Sequence, residues 1–146
     1  MIPDFIITSI AAFSAFAIFY LAGKGAVLAV TPLNAFGGVL SLLGGAIWLW
    51  AAITLGRYLT PGTEPKSPVL ITTGPFSIVR HPIYFGASLV FLGAVLVSRD
   101  LKTIPFIAAI IYVEIEKARR EEEELAKRFP AFGDYKKNVG FLVPRL

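Results

Sequence analysis

The sequence predicts an all-α integral membrane helical bundle, with about four transmembrane helices and a cytoplasmic helix near the C-terminus. Three observations carry this. Of the 146 residues, 55% are hydrophobic and 16% charged, against about 25% charged in soluble domains, and the mean hydropathy is +0.70. The apolar residues fall into four runs separated by polar or proline-bearing segments. The charged residues concentrate in one late segment. The chain reads as a single domain over residues 1–146, divided into two N-terminal transmembrane helices (1–55) and a C-terminal part (56–146).

The first run is Phe5–Leu21. It is expected to end at the membrane edge near Lys24, although apolar residues continue to 30. A cleaved signal peptide is the rival reading. No basic segment precedes the run, so a retained helix is favoured. The second run, Leu33–Leu55, reaches the roughly 20 residues that cross a hydrocarbon core of about 30 Å. Gly37, Ser41 and Gly45 recur in it at four-residue spacing, with Gly38 and Gly44 beside them. This reads as a small-residue packing stripe, with a cofactor-accommodating face as the lesser alternative. Trp48 and Trp50 are expected at the interface.

Residues 56–75 hold Pro61, Pro65, Pro68 and Pro75, which forbid a continuous helix. The third run, Ile83–Val97, needs residues from Ser77 to complete a span. A polar turn at 98–102 then leads to the fourth run, Ile104–Val113, expected to begin near Leu101 and leave the membrane through Glu114. Residues 114–138 read as an emerging charged helix. Its pairs Glu116–Arg120, Glu123–Lys127 and Glu124–Arg128 have the favourable i,i+4 order.

Orientation follows from the basic residues. With the proline-rich loop and the C-terminal part in the cytoplasm, Arg57, Lys66, Arg80, Lys117, Arg119, Arg120, Lys127, Arg128, Lys136, Lys137 and Arg145 lie inside. Lys24, Arg99 and Lys102 lie outside, a ratio of 11 to 3. This places a four-pass protein in the cell membrane, with the N-terminus on the cytoplasmic side.

Cysteine is absent and His81 is the one histidine. Disulfides, thiolate nucleophiles and Cys/His metal centres are thereby excluded, and no metal is expected. The net charge of +4 is interleaved with glutamates, so a bilayer surface is the expected partner and nucleic acid is not. Glutamine is absent, and only two Asn and one Met occur. This depletion suits a thermophilic source.

The stretch 74–86, GPFSIVRHPIYFG, concentrates the unusual chemistry. Pro82 suits the first position of a helix and restricts His81 to a cap-like geometry. The helix start attracts an anion, Arg80 adds positive charge, and Tyr84 adds a hydroxyl and a ring. Gly86 leaves room for something to lie against the helix. The plain alternative is a capped helix with a snorkelling arginine and an interfacial tyrosine. A hairpin of the third and fourth runs brings this stretch and the glutamate helix out on the same side. Glu121 or Glu122 would reach it if the later helix bends back.

Together, TTGPFSIVRHPIYFG, EEEELAKRFPAFGDYKKNV and the terminal VPRL resemble the superfamily of isoprenylcysteine carboxyl methyltransferases and phospholipid methyltransferases, over roughly residues 60–146. The matching residues are Gly74-Pro75-Phe76, Arg80 to Gly86, Glu121-Glu122 with Leu125, and Phe129, Phe132 and Tyr135. The resemblance implies an integral membrane methyltransferase using S-adenosylmethionine, with no Rossmann fold. It implies cofactor-binding roles for Gly74, His81, Pro82, Tyr84, Gly86, Glu122 and Tyr135, and catalytic roles for Arg80, Glu121 and Arg145. Either Glu121 or Glu122 would take the cofactor's ammonium or ribose hydroxyls. Tyr84 or Tyr135 would face the sulfonium or support the adenine. Arg80 or Arg145 would grip an anionic acceptor.

Where isoprenylcysteine enzymes carry Arg-Val-Pro, this chain has Asn138-Val139-Gly140, and its Pro144-Arg145 comes later. The expected acceptor is accordingly a lipophilic or small apolar molecule with a carboxylate, amine or thiol. The competing readings are a non-enzymatic interaction protein on the same scaffold and a membrane reductase-like relative.

Overall fold

The computed structural model describes residues 4–24, 31–59 and 67–145. Five α-helices follow in order: α1 Asp4–Lys24, α2 Pro32–Leu55, α3 Pro82–Ser98, α4 Ile104–Arg128 and α5 Phe132–Asn138. Among the described residues there is no β-strand, so the all-α class holds. The continuation of the first run over 25–30, and Pro61, Pro65 and Lys66 in the long loop, lie outside the described residues.

Local chemistry sets the helix ends. Thr31 caps α2 in a reciprocal box: Asn34 N donates to Thr31 Oγ1 at 3.4 Å, and Thr31 N donates to Asn34 Oδ1 at 2.6 Å. Gly56 ends α2 at φ +52°, where a side chain would be strained. Pro82 opens α3 at its first position, and Arg99 closes it in the left-handed region. The turn expected at 98–102 is built by Asp100, whose side chain accepts from Lys102 N at 2.9 Å.

The helix α2 packs on α3 through missing side chains. A Cβ at Gly44 would lie 2.5 Å from the Gly86 carbonyl oxygen, and one at Gly37 would lie 2.7 Å from that of Gly93. Between these crossings Ser41 Oγ donates to the Val90 carbonyl at 3.1 Å. The stripe is thus Gly37–Ser41–Gly44, not Gly37–Ser41–Gly45. Gly45 and Gly38 face open space, because a 3.6-residue turn keeps i+4 and i+7 on one face better than i+8. The opposite face of α2 exposes Phe36, Leu42, Leu43, Leu49 and Ile53, with Trp48 and Trp50 near the later end.

The helices α1, α3 and α4 share a core of Ile18, Ala94, Ile107 and Ile110, with Phe91 and Phe106 against it. Phe13 meets Phe106 at 6.0 Å and Phe19 meets Phe91 at 5.8 Å. These contacts give α1 its direction. It starts at the end of the bundle formed by the 98–103 turn and runs parallel to α4, away from that turn. The N-terminal end of α1 is therefore opposite His81, which corrects the expectation that the N-terminus and the site share a side. A uniformly apolar helix carries no orientation of its own, and packing against Phe91 and Phe106 decides it.

The span Pro32–Tyr58 is long and apolar enough to cross a membrane by itself, and it is the one such helix among the described residues. Ser9–Tyr20 and Pro82–Ser98 are shorter apolar stretches. At 1.5 Å per residue, the 17 residues of α3 reach about 26 Å, just under a typical core.

Candidate functional site

The site is a consequence of hairpin length. Helix α3 runs 17 residues from Pro82 to the turn, and the same count along α4 from Ile104 ends at Arg120. Glu121 and Glu122 therefore stand level with His81. No bend is required, contrary to expectation: α4 is one unbroken helix of 25 residues. Its buried stripe passes from Ile107, Ile110 and Val113 through Glu114 and Ala118 to Glu122. The helix thus carries one continuous face from an apolar packing zone into an ionic cluster.

In that cluster Glu122 is fully engaged. Arg80 Nε donates to Oε1 at 2.6 Å, and His81 Nε2 lies 3.3 Å from the same oxygen. Lys136 Nζ is 2.8 Å from Oε2. Glu121 meets the other ring nitrogen, His81 Nδ1, at 3.4 Å and accepts from the Tyr84 hydroxyl at 2.5 Å. The Arg80 and Glu122 side chains are each 8% exposed, whereas that of Glu121 is 26% exposed. Of the two acids, only Glu121 presents an accessible edge.

Burial opposes charge on Glu122, but the hydrogen bonds from His81, Lys136 and Arg80 outweigh it and hold its carboxyl down at about 2. Burial likewise opposes charge on His81. The flanking Glu121 and Glu122 prevail, and its imidazole pKa is raised. Both ring nitrogens of His81 thus face carboxylates, an arrangement that favours the protonated ring.

The C-terminal segment closes over this cluster. Arg80 N donates to the Gly140 carbonyl at 2.8 Å and His81 N to that of Phe141 at 3.3 Å, and Val79 and Gly140 form an isolated parallel bridge. The Arg80 guanidinium also donates to the carbonyls of Val139 and Lys136, and it sits 5.5 Å over the Phe141 ring. His81 meets Phe141 edge-on at 5.1 Å. The Tyr135 hydroxyl donates to the Phe76 carbonyl at 2.6 Å. Burial raises its pKa to about 12, which keeps it a neutral donor. Glycine is required at 140, since a Cβ there would overlap the Val143 carbonyl.

The structure brings Arg80, His81, Pro82, Tyr84, Glu121 and Glu122 together, with Tyr135 on the covering segment. Three other expected site residues sit elsewhere. A Cβ at Gly86 would be 2.7 Å from both the Gly44 carbonyl oxygen and Trp48 N, so the room beside it is filled by α2. Gly74, at φ +60°, backs onto Thr54 and Trp50 of α2. Arg145 is exposed and bonds to the Lys137 carbonyl, apart from the acids. The sequence reading missed Lys136, Phe141 and the carbonyls of Val139 and Gly140. These depend on the fold-back of the tail, and no local pattern signals a backbone carbonyl as a partner.

Fold and site define a helical membrane-type protein in which one end of a helix hairpin holds a buried ionic cluster under the C-terminal segment. The chain belongs to the phospholipid methyltransferase family, which matches residues 32–131, and it is thereby a member of a family of membrane methyltransferases. It is 37% identical over 102 residues to a nickel-cobalt-cadmium resistance protein of Alcaligenes xylosoxydans xylosoxydans. It is 32% identical over 102 residues to a cobalt-zinc-cadmium resistance protein of Cupriavidus metallidurans. Each alignment covers 67% of this chain and 43% of the relative, so the chain matches less than half the length of these proteins. No solved structure shows a significant match.

Proposed function

We propose that this chain is an S-adenosylmethionine-dependent methyltransferase of the cell membrane, with its site at the cytoplasmic face and a lipophilic acceptor. The observation that carries the reading is the accessible carboxylate of Glu121, aligned by Tyr84 and His81 beside a helix start that no side chain caps. The cofactor, when bound, supplies an electrophilic methyl group on a sulfonium. The residues present suit its polar groups. The uncapped first turn of α3 offers N–H groups to a carboxylate, Glu121 takes an ammonium or ribose hydroxyls, and Tyr84 and Phe141 offer ring faces to a cation. Glu122 acts as a positioning residue, because Arg80, His81 and Lys136 already occupy it. Arg80 ties the C-terminal segment over the site, which excludes water from the aqueous side.

Calorimetry with S-adenosylhomocysteine on purified protein in nanodiscs tests this reading. Saturable binding is expected, weakened in Glu121→Gln by about 1–3 kcal/mol and unaffected in Glu123→Gln. Folded protein that does not bind would leave the non-enzymatic scaffold or the reductase-like reading instead.

The names of two relatives tie those proteins to metal resistance. In this chain such a link would run through methylation of a membrane component. A chain with no cysteine and one histidine, itself held between two carboxylates, offers little to a soft metal ion.

A further inference from the structure

The C-terminal segment is anchored in two unequal parts. Its first part, α5, is fixed to the bundle: Phe132 is 2% exposed, and the Tyr135 hydroxyl donates to the Phe76 carbonyl at 2.6 Å. Its second part begins at Val139, where the backbone leaves the helix for an extended conformation. From there the chain runs along residues 79–81. Arg80 N holds the Gly140 carbonyl, His81 N holds the Phe141 carbonyl, and the Arg80 guanidinium holds the Val139 carbonyl. The chain then turns back on itself. The backbone of Gly140 lies against that of Val143 with no space for a Cβ, and the Arg145 guanidinium donates to the Lys137 carbonyl. Residues 139–145 thus form a loop clasped at both ends beside α5, and none of them is buried.

What lies beneath this loop is closed to water. The Arg80 and Glu122 side chains are each 8% exposed and that of His81 is 4% exposed, and Pro82 at the start of α3 is buried. Segments with few buried apolar contacts and hydrogen bonds near solvent open before the core does. Residues 139–145 fit that description, whereas α5 and the α3–α4 hairpin do not. We propose that residues 139–145 are a strap that swings about Val139 and gates exchange of the cofactor with the aqueous side, a role that rests on the methyltransferase reading above. Closed, the strap keeps water from the ionic cluster. Open, it frees the N–H groups of Arg80 and His81 and uncovers the first turn of α3, while α5 stays in place. Release of the spent cofactor then waits for opening. Arg145, which stands apart from the acids, is a positioning residue that acts through the strap.

The test measures S-adenosylhomocysteine association and dissociation rates on purified protein in nanodiscs, with amide hydrogen exchange of the unliganded protein in parallel. A gate scales entry and exit together. Arg145→Ala should raise both rates by about 2- to 12-fold, the change in open population for losing one hydrogen bond, with the affinity nearly unchanged. The Arg80 and His81 amides should exchange faster by a similar factor, while amides in the middle of α3 stay protected. Gly140→Ala, which forces the turn apart, should act in the same direction and more strongly; should it fail to fold, Arg145→Ala carries the comparison. Rates that do not respond, or a faster off-rate with an unchanged on-rate, overturn the gate. So does faster exchange spread along all of α3, which would mark a general loss of stability. Absence of S-adenosylhomocysteine binding in the wild type overturns the methyltransferase reading and with it the cargo of the strap. The amide exchange needs no ligand, so it separates that failure from failure of the strap itself.

Discussion

Arg80 and Glu122, 42 positions apart, form a 2.6 Å ion pair with each side chain 8% exposed. The same guanidinium holds the carbonyls of Val139 and Lys136. One arginine therefore joins the start of α3, the later half of α4 and the C-terminal segment. Breaking a buried pair on one side leaves an uncompensated charge, at a cost of about 3–5 kcal/mol.

Arg80→Lys is accordingly not conservative. A lysine keeps the charge but has no planar fork to hold Glu122 and two carbonyls together. The expected result is faster proteolysis within residues 139–145 and a lower Tm, with Arg80→Ala worse than Arg80→Lys. Equal protease resistance in all three proteins would show that the tail is held by other contacts.

The interface of α2 and α3 gives a steric prediction. Gly86→Ala and Gly93→Ala each place a methyl against backbone of α2 and should destabilise by about 1–3 kcal/mol. Gly38→Ala and Gly45→Ala enter open space and should be neutral or stabilising, by up to about 1 kcal/mol from helix propensity. Thermal unfolding in detergent separates the pairs, and similar Tm losses at all four positions would refute the packing.

Stability should depend on pH from both sides. The Glu122 pKa is depressed to about 2, so its contribution is present above its unfolded value, about 4.3, and fades as pH falls through the folded one. The His81 pKa is raised. Its contribution is complete below the unfolded value, about 6.5, and is lost as pH rises through the folded value. Glu122→Gln should flatten the acid limb of a Tm–pH profile and His81→Asn the alkaline limb. An alkaline limb that persists in His81→Asn would assign it to another group.

Sidedness can be read with single cysteines, since the native chain has none. Lys137→Cys, near the site, should label from the cytoplasm, and Lys102→Cys, in the turn at the other end of α3 and α4, from outside. Labelling of both from one side would mean that the hairpin does not cross the bilayer.

Much of this architecture is local and was legible in the residues. Apolar runs bounded by the proline-bearing segment 56–75, Pro82 and the 98–102 turn define helices, because caps and breakers act within a few positions of themselves. The meeting of the two polar blocks was legible only in part. The hairpin was expected to bring them to one side, but with a bend in the later helix; the straight α4 reaches His81 because Glu121-Glu122 lies an equal count along its arm.

Other features belong to the tertiary structure alone. The direction of α1, the choice of Gly44 over Gly45, and the filling of the space beside Gly86 all follow from how apolar surfaces fit. Sequence polarity is blind to that, since every candidate face is apolar. Which acid stays accessible was likewise undecidable from adjacent glutamates. Helical rotation of about 100° between neighbours turns Glu122 into the buried grip of Arg80, His81 and Lys136 and leaves Glu121 with a free edge. That difference arises only when α4 has been seated against α3 and the tail has folded back over both.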